Sequence, residues 1–425
     1  MCRFPLPGDV VPPSRDAVAP TVPLVLVFAV ITAACGGDEA TDTGADDSGE
    51  AAATTTTALP ETTTTTTAPE TTTTTTTEAP LPAITPVGDG PYGVGTQTIT
   101  VAADHRGFEL TVDVWFPLAD GATADPARYA FVTGDYYDSP RALAAGFDQA
   151  SDAGPFPMVV YSHGSGGLRF IHSDYTETLA SHGYVVVAPD HAGNTAVERV
   201  LGNADPSDVI AYNRPLDVTA VIDGALADRS VSPLVDAESI AVTGHSFGGF
   251  TTYAVAAGTD NPNGVTPVDP RVDALIPLAP AVGDGGDDGL LSDADLASIE
   301  LPTLIIVGTD DSTTPVDPNV ETAWSSSSAS PHYRVELVAA EHQSFTDLCD
   351  YLDVLVDRED ATPLVVDVII EMSVEGCSPD DMPIERVKAL TNTFAVSFLE
   401  SVFRGGEMIT DQTNVIPDDV IFDTK

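Results

Sequence analysis

From residue 86 onward the chain alternates short apolar runs with stretches of helical spacing. The runs Thr96–Val101, Leu110–Trp115, Met158–Ser162, Val185–Ala188, Ile240–Thr243, Ala274–Leu278, Thr303–Val307 and Val335–Val338 have strand length and composition. Between them, Ser173–Ser181, Leu216–Ala227, Phe250–Ala257 and a stretch near Val320–Ser327 read as helices. Toward the end, Val387, Leu390, Phe394, Phe398 and Phe403 recur at helical intervals and predict a helix over Ile384–Phe403. Strands that alternate with helices predict an α/β domain with a mostly parallel central sheet flanked by helices. The first two strands have no helix between them and predict an antiparallel hairpin at one sheet edge. No internal repeat or second core stands out, so one domain is expected over 86–425.

The preceding residues follow a different pattern. Val22–Ala34 is an apolar stretch that ends in Thr32-Ala33-Ala34-Cys35-Gly36-Gly37. It has the length of an export-signal core and is short for a membrane span. Small residues before a cysteine resemble a bacterial lipoprotein processing site, so residues 1–35 read as a signal with Cys35 lipidated after cleavage. Simple secretion is the alternative. Residues 36–85 are acidic, then almost pure Thr with Pro, Ala and Glu, and read as an extended tether with nothing to form a core. The expected location is the outer face of a bacterial membrane, with the lipid at Cys35 as the membrane contact.

The 425 residues carry 65 acidic and 16 basic groups, a net charge of −49. Such a surface argues against nucleic acid as a partner. With Cys2 and Cys35 assigned to the leader, Cys349 and Cys377 remain as an even pair. In an oxidising compartment they form one disulfide; two free buried thiols are the alternative. The segment between them shows no core of its own. No Cys/His zinc spacing and no phosphate-binding Gly-rich loop is present, and the Asp284–Asp288 run lacks the spacing of an EF-hand loop. No cofactor or metal is expected.

Chemistry concentrates in Gly244-His245-Ser246-Phe247-Gly248-Gly249, which reads G-x-S-x-G between a strand and a helix. A tight turn there would expose the Ser246 hydroxyl above the sheet edge, and the glycines would let the backbones approach. Serine needs a base, and the base an orienting acid. His342 is the only histidine that follows a late strand. Asp310 and Asp311 follow the strand before it; the spacing of Gly308 to Pro315 favours Asp311, with Asp310 and then Asp317 as alternatives. The N–H of Phe247 and one N–H from Ser162-His163-Gly164-Ser165-Gly166-Gly167 would supply an oxyanion hole. Ser165 is the expected second donor and Gly164 its competitor. Asp190, His191, Trp324 and Tyr175 read as packing or loop-orienting residues.

The blocks Ser162–Gly167, Leu179–His191, Gly244–Gly249 and His342–Cys349, in that order, resemble the platelet-activating factor acetylhydrolase family. They equally resemble bacterial proteins labelled dienelactone hydrolases, a group that includes polyester-cleaving members. True dienelactone hydrolases use a cysteine where this chain has Ser246. The resemblance implies an α/β-hydrolase fold and a serine esterase acting on small acyl esters. It implies Ser246, Asp311 and His342 as its triad, and Ser165 and Phe247 as oxyanion donors. A polyester hydrolase, and a non-catalytic surface binding module on the same fold, are the competing expectations.

Overall fold

The computed structural model describes residues 81–425, except 132, 284–289 and 357. Cys35, the signal, almost all of the tether and the Asp284–Asp288 run lie outside the described residues.

Among the described residues the main sheet has eleven strands. Its centre is six parallel strands: β5 (Phe156–Ser162), β6 (Val185–Pro189), β7 (Val235–His245), β10 (Ala274–Leu278), β11 (Thr303–Gly308) and β12 (His332–Leu337), in the order β6-β5-β7-β10-β11-β12. Every residue of β5, β6, β10 and β11 is buried, so these strands read as unbroken apolar runs rather than alternating ones. β1 (Val94–Ala103) and β2 (Phe108–Pro117) form the expected antiparallel hairpin, and β2 pairs with β6. The hairpin is not the edge, however. β4 (Tyr136–Leu143) pairs parallel with β1, and β3 (Pro126–Ala130) closes that side. Charged residues and Pro140 hide these strands from a hydrophobicity pattern. On the other side β13 (Val420–Thr424) pairs antiparallel with β12. A two-stranded ribbon, β8 (Thr259–Asn261) and β9 (Gly264–Thr266), stands apart.

Helices α1 (Ser173–Ser181), α3 (Ser207–Ala227), α4 (Phe247–Ala257) and α9 (Ile384–Phe403) cover the sheet; α1 packs on α9, and α3 on α4. Helix α3 starts nine residues before Leu216 because Pro215 sits inside it rather than ending it. Shorter helices α2 (Ala196–Leu201), α5 (Asp293–Ala297), α6 (Glu321–Ser326), α7 (Leu348–Leu355) and α8 (Pro363–Met372) lie in the connections. The chain switches direction between β5 and β7. In an open α/β sheet that crevice, at the carboxyl ends of the strands, is where ligands bind.

One buried chain of polar groups links the added strands to the core. Trp115 Nε1 donates to Tyr129 Oη (2.7 Å), and Tyr129 and Ser139 hydroxyls donate to the Glu177 carboxylate (2.6 and 2.7 Å). Burial pushes Glu177 up to about 7 despite those donors. The folded state therefore holds this proton while the unfolded chain releases it from about 4.5 upward. Its contribution to stability is complete below that pH and is lost as pH rises through about 7. Glu177→Gln cannot ionise. The difference in unfolding free energy, variant minus wild type, should rise by on the order of 3 kcal/mol from pH 4.5 to 8. Denaturant melts at the two pH values measure it, and a pH-independent difference contradicts the burial argument.

Candidate active site

Ser246 occupies the turn between β7 and α4 with φ 59° and ψ −119°. A non-glycine residue rarely adopts this backbone, and it is the strained strand-to-helix corner that G-x-S-x-G turns make. The glycines around it are obligatory. A Cβ on Gly244 would lie 2.5 Å from the Gly248 carbonyl oxygen, and one on Gly248 would collide with the Ser162 carbonyl. The corner is pinned by backbone bonds: Ser246 N–H donates to Leu278 O (2.9 Å), and Gly249 and Ala281 N–H groups donate to Ser246 O (2.8 and 3.1 Å).

His342 opens a single helical turn, His342–Phe345, after β12 and is buried. Its Nδ1 lies 2.8 Å from Asp311 Oδ2. With a carboxylate as acceptor, Nδ1 carries the proton and Nε2 is the free basic nitrogen. Asp311 is buried, whereas Asp310 and Asp317 are exposed. Asp311 is thus the carboxylate that meets His342. Asp311, and not its neighbour, also caps the following turn: its Oδ1 accepts the Thr314 N–H at 2.6 Å. Asp310 binds only locally, accepting the Thr309 hydroxyl at 2.8 Å.

Cys349 and Cys377 are disulfide-bonded, with Cα atoms 5.6 Å apart. The bond joins α7 to the strap that follows α8, and this strap reaches both loops of the site. Gln343 N–H donates to Glu375 O (2.8 Å). The Glu375 carboxylate accepts from the backbone N–H groups of Ser312 and Thr313 (2.9 and 3.0 Å) and from both hydroxyls (2.7 and 2.6 Å). Burial disfavours the Glu375 charge, but these donors outweigh it and hold the group below the ordinary glutamate range. The segment between the cysteines, which seemed coreless in sequence, therefore holds the Asp311 and His342 loops in register.

Ser165 is exposed on the loop after β5, and its Oγ accepts from Asn194 Nδ2 (3.1 Å). Gly164 lies against the Ser246 corner: a Cβ on it would sit 3.3 Å from Ser246 Cβ. The amides further along are committed, Gly166 N–H to Asn194 O (3.1 Å) and Gly167 N–H to Gly164 O (3.1 Å). Phe247 is the first residue of α4. Tyr175 is fully buried, Trp324 half-buried against His332, and Asp190 pairs with Arg169 at 2.6 Å.

Two features escape the sequence. His245, the variable residue of the motif, is buried and donates from Nε2 to the His342 carbonyl (2.9 Å), with ring centroids 4.5 Å apart. Burial, helped by His342 and His172, holds it well below the ordinary histidine range, so it remains neutral. The second is a fully buried Ser162–His191–Asp217 relay. Ser162 Oγ lies 2.9 Å from His191 Nε2, and His191 Nδ1 lies 2.9 Å from Asp217 Oδ2. It has the atom order of a catalytic triad, but all three residues are at 0% exposure, where no substrate reaches them. Arg106 and His105 complete the ring around Asp217 (2.7 and 2.8 Å). The signal in the sequence is Arg214 and Asp217, the middle two of the four charged residues in the stretch that forms α3.

Among solved structures, a ferulic acid esterase from Streptomyces cinnamoneus superposes with a TM-score of 0.58, over 81% of this chain and 99% of that one, at 23% identity. The fold is shared. The chain has the α/β-hydrolase fold. Residues 135–291 match the chlorophyllase family model, a span that includes Ser246 but neither Asp311 nor His342. Chlorophyllase type 0 of Chenopodium album is 30% identical over 46% of this chain and 53% of that protein. Platelet-activating factor acetylhydrolase of Bos taurus is 23% identical over 39% of this chain and 50% of that protein. The chain thus spans about half the length of the curated relatives it matches. The bovine protein bears out the family resemblance read from the four motif blocks; the chlorophyllases extend it.

Proposed function

We propose that this α/β-hydrolase is a serine carboxylic ester hydrolase. The observation that carries the reading is the buried Asp311–His342 contact beside the strained corner that holds Ser246. Ser246 Oγ attacks the ester carbonyl carbon while His342 Nε2 takes its proton. Asp311 holds the imidazole in the tautomer this requires and stabilises its charged form. The tetrahedral oxyanion is met by the N–H groups of Phe247 and Ser165. Collapse breaks the bond to the alcohol, which leaves with the proton from His342. A water molecule then gives a proton to the same nitrogen and attacks the acyl-serine, and the acid is released. No step calls on a cofactor.

The substrate class is read from an apolar cleft of about 340 Å³ beside the loop that holds Ser165. Gly166, Gly167 and Leu168 form one wall, Val197 and Val200 of α2 a second, and Val365, Val368 and Met372 of α8 a third. On a chain this acidic, such a lining suits an aliphatic or aromatic chain on the ester. Leu201 and Leu364 at its rim are exposed, which also suits a chain that continues outward as a polymer.

A fluorophosphonate probe should label Ser246 and no other serine, as read by peptide mass spectrometry. Absence of that label contradicts the reading and leaves the binding-module alternative. With para-nitrophenyl esters, kcat/KM should rise at least about tenfold from acetate to octanoate, since each buried methylene is worth up to ~0.8 kcal/mol. Val368→Trp should remove that gain and spare the acetate. Equal rates for all chains in both proteins would detach the cleft from the substrate. A polyester film assayed in parallel distinguishes polymeric from small esters.

A further inference from the structure

Arg214, in the middle of α3, is a guanidinium at 0% exposure. No carboxylate lies within salt-bridge distance of it among the described residues; Asp217, one turn further on, is instead taken by Arg106, His105 and His191. Nε and Nη1 of Arg214 have no hydrogen-bond partner among the described residues. A buried cation without a direct counter-ion is costly, and apolar residues could fill the same space. What Arg214 does contact is the loop after β5. Its Nη2 donates to the His163 carbonyl and lies 3.4 Å from the Gly164 carbonyl. Its guanidinium carbon also lies 5.3 Å from the ring centroid of Phe247.

The Gly164 carbonyl is held by more than Arg214. His163 Nδ1 donates to it at 2.7 Å and the Gly167 N–H at 3.1 Å. The tautomer of His163 is fixed from the other side, because the His191 N–H donates to its Nε2 (3.1 Å) and leaves the proton on Nδ1. His191 is in turn held by Ser162 and Asp217. Burial and Arg214 keep His163 well below the ordinary histidine range, so the ring stays neutral and this pattern persists. In a trans peptide the C=O and the following N–H point in opposite directions. Holding the carbonyls of His163 and Gly164 toward Arg214 therefore turns the N–H groups of Gly164 and Ser165 away from it. Gly164 is the residue that abuts Ser246.

We propose that Arg214 is a positioning residue for the oxyanion hole. It turns the two peptides after His163 so that their N–H groups face the reacting carbonyl, and it sets a positive charge behind them. The backbone N–H of His191, a residue anchored through its side chain by Ser162 and Asp217, keeps His163 in the tautomer that shares this task. The inference rests on the ester-hydrolase reading, and its test separates the two.

The test compares wild type, Arg214→Met and Arg214→Lys on one para-nitrophenyl ester, with active sites counted by fluorophosphonate titration. A trifluoromethyl ketone, which adds to serine as a charged hemiketal, serves as the oxyanion probe. Arg214→Met should lose about 10²-fold in kcat per titrated site, the scale of one lost oxyanion donor, with KM nearly unchanged. Its affinity for the ketone should weaken in parallel. Arg214→Lys, which reaches one carbonyl but not both, should recover part of each loss. Wild-type kcat and ketone affinity in folded Arg214→Met overturn the proposal, whatever happens to its melting temperature. If Arg214→Met does not fold, Arg214→Lys decides: about a tenfold loss in both readouts supports the role, and wild-type values overturn it. No turnover and no label in wild type would remove the ester-hydrolase reading, and this inference with it.

Discussion

Ser246→Ala is expected to lower ester turnover by at least about 10⁴-fold and to leave the melting curve almost unchanged. The rate loss follows because no other hydroxyl occupies the strained corner, and removal of a nucleophile in such sites costs on this scale. The stability follows from the backbone. Alanine and serine both place a Cβ on a residue at φ 59°, so the corner is as strained in one as in the other. Its pins, the bonds to Leu278, Gly249 and Ala281, use only backbone atoms. Turnover of a para-nitrophenyl ester and a circular dichroism melt on the same preparation measure both. Near wild-type turnover in Ser246→Ala would end the nucleophile assignment.

Asp311→Asn should cost about 10³- to 10⁴-fold in kcat, and Asp310→Asn only a few-fold. Asparagine at 311 keeps an oxygen for the Thr314 N–H, so the turn survives. Its amide NH₂, however, would then face His342 Nδ1 and favour the wrong tautomer. Asp310 is exposed, and among the described residues its carboxylate accepts only from its neighbour Thr309. Both variants should be assayed at one pH on one substrate. A larger loss in Asp310→Asn would contradict the pairing at 2.8 Å.

The parts of this molecule that the sequence announces are those governed by local patterning. The central strands, buried on both faces, appear as apolar runs, and Ile384–Phe403 appears with both ends right because its apolar positions keep one period. Local rules fail in identifiable ways elsewhere. Strands β3, β4 and β13 are polar and at or near the edges, so they bury too little to leave a pattern. Pro215 looks like a helix break, yet it lies within α3. Helix α8 is rich in Val and Ile, which obscures its period. At the site, motif spacing was enough to nominate Ser246 and His342. It favoured Asp311, the residue that meets His342, but left Asp310 and Asp317 open, because which of two adjacent side chains turns inward depends on loop dihedrals. The Arg214 and Asp217 network was beyond reach for another reason. It joins residues from β5, β6, α3 and the β1–β2 turn, and only the folded sheet makes them neighbours.

The disulfide carries a consequence for engineering. Residues 349 and 377 are 28 apart in sequence but only 5.6 Å apart at their Cα atoms. Past the buried Tyr351 and Leu355 of α7 the chain runs outward, supplies the α8 wall of the cleft and returns to almost the same point. A closed excursion of this kind is a natural cassette. Its contents can be exchanged for a longer, shorter or differently lined segment without moving the chain on either side, since loop length adds little to the cost of closure. The parts to retain are α7, whose Tyr351 and Leu355 are buried in the core, and Glu375 to Cys377, which grips the Asp311 and His342 loops. Selectivity and reactivity in this fold would then be graftable separately.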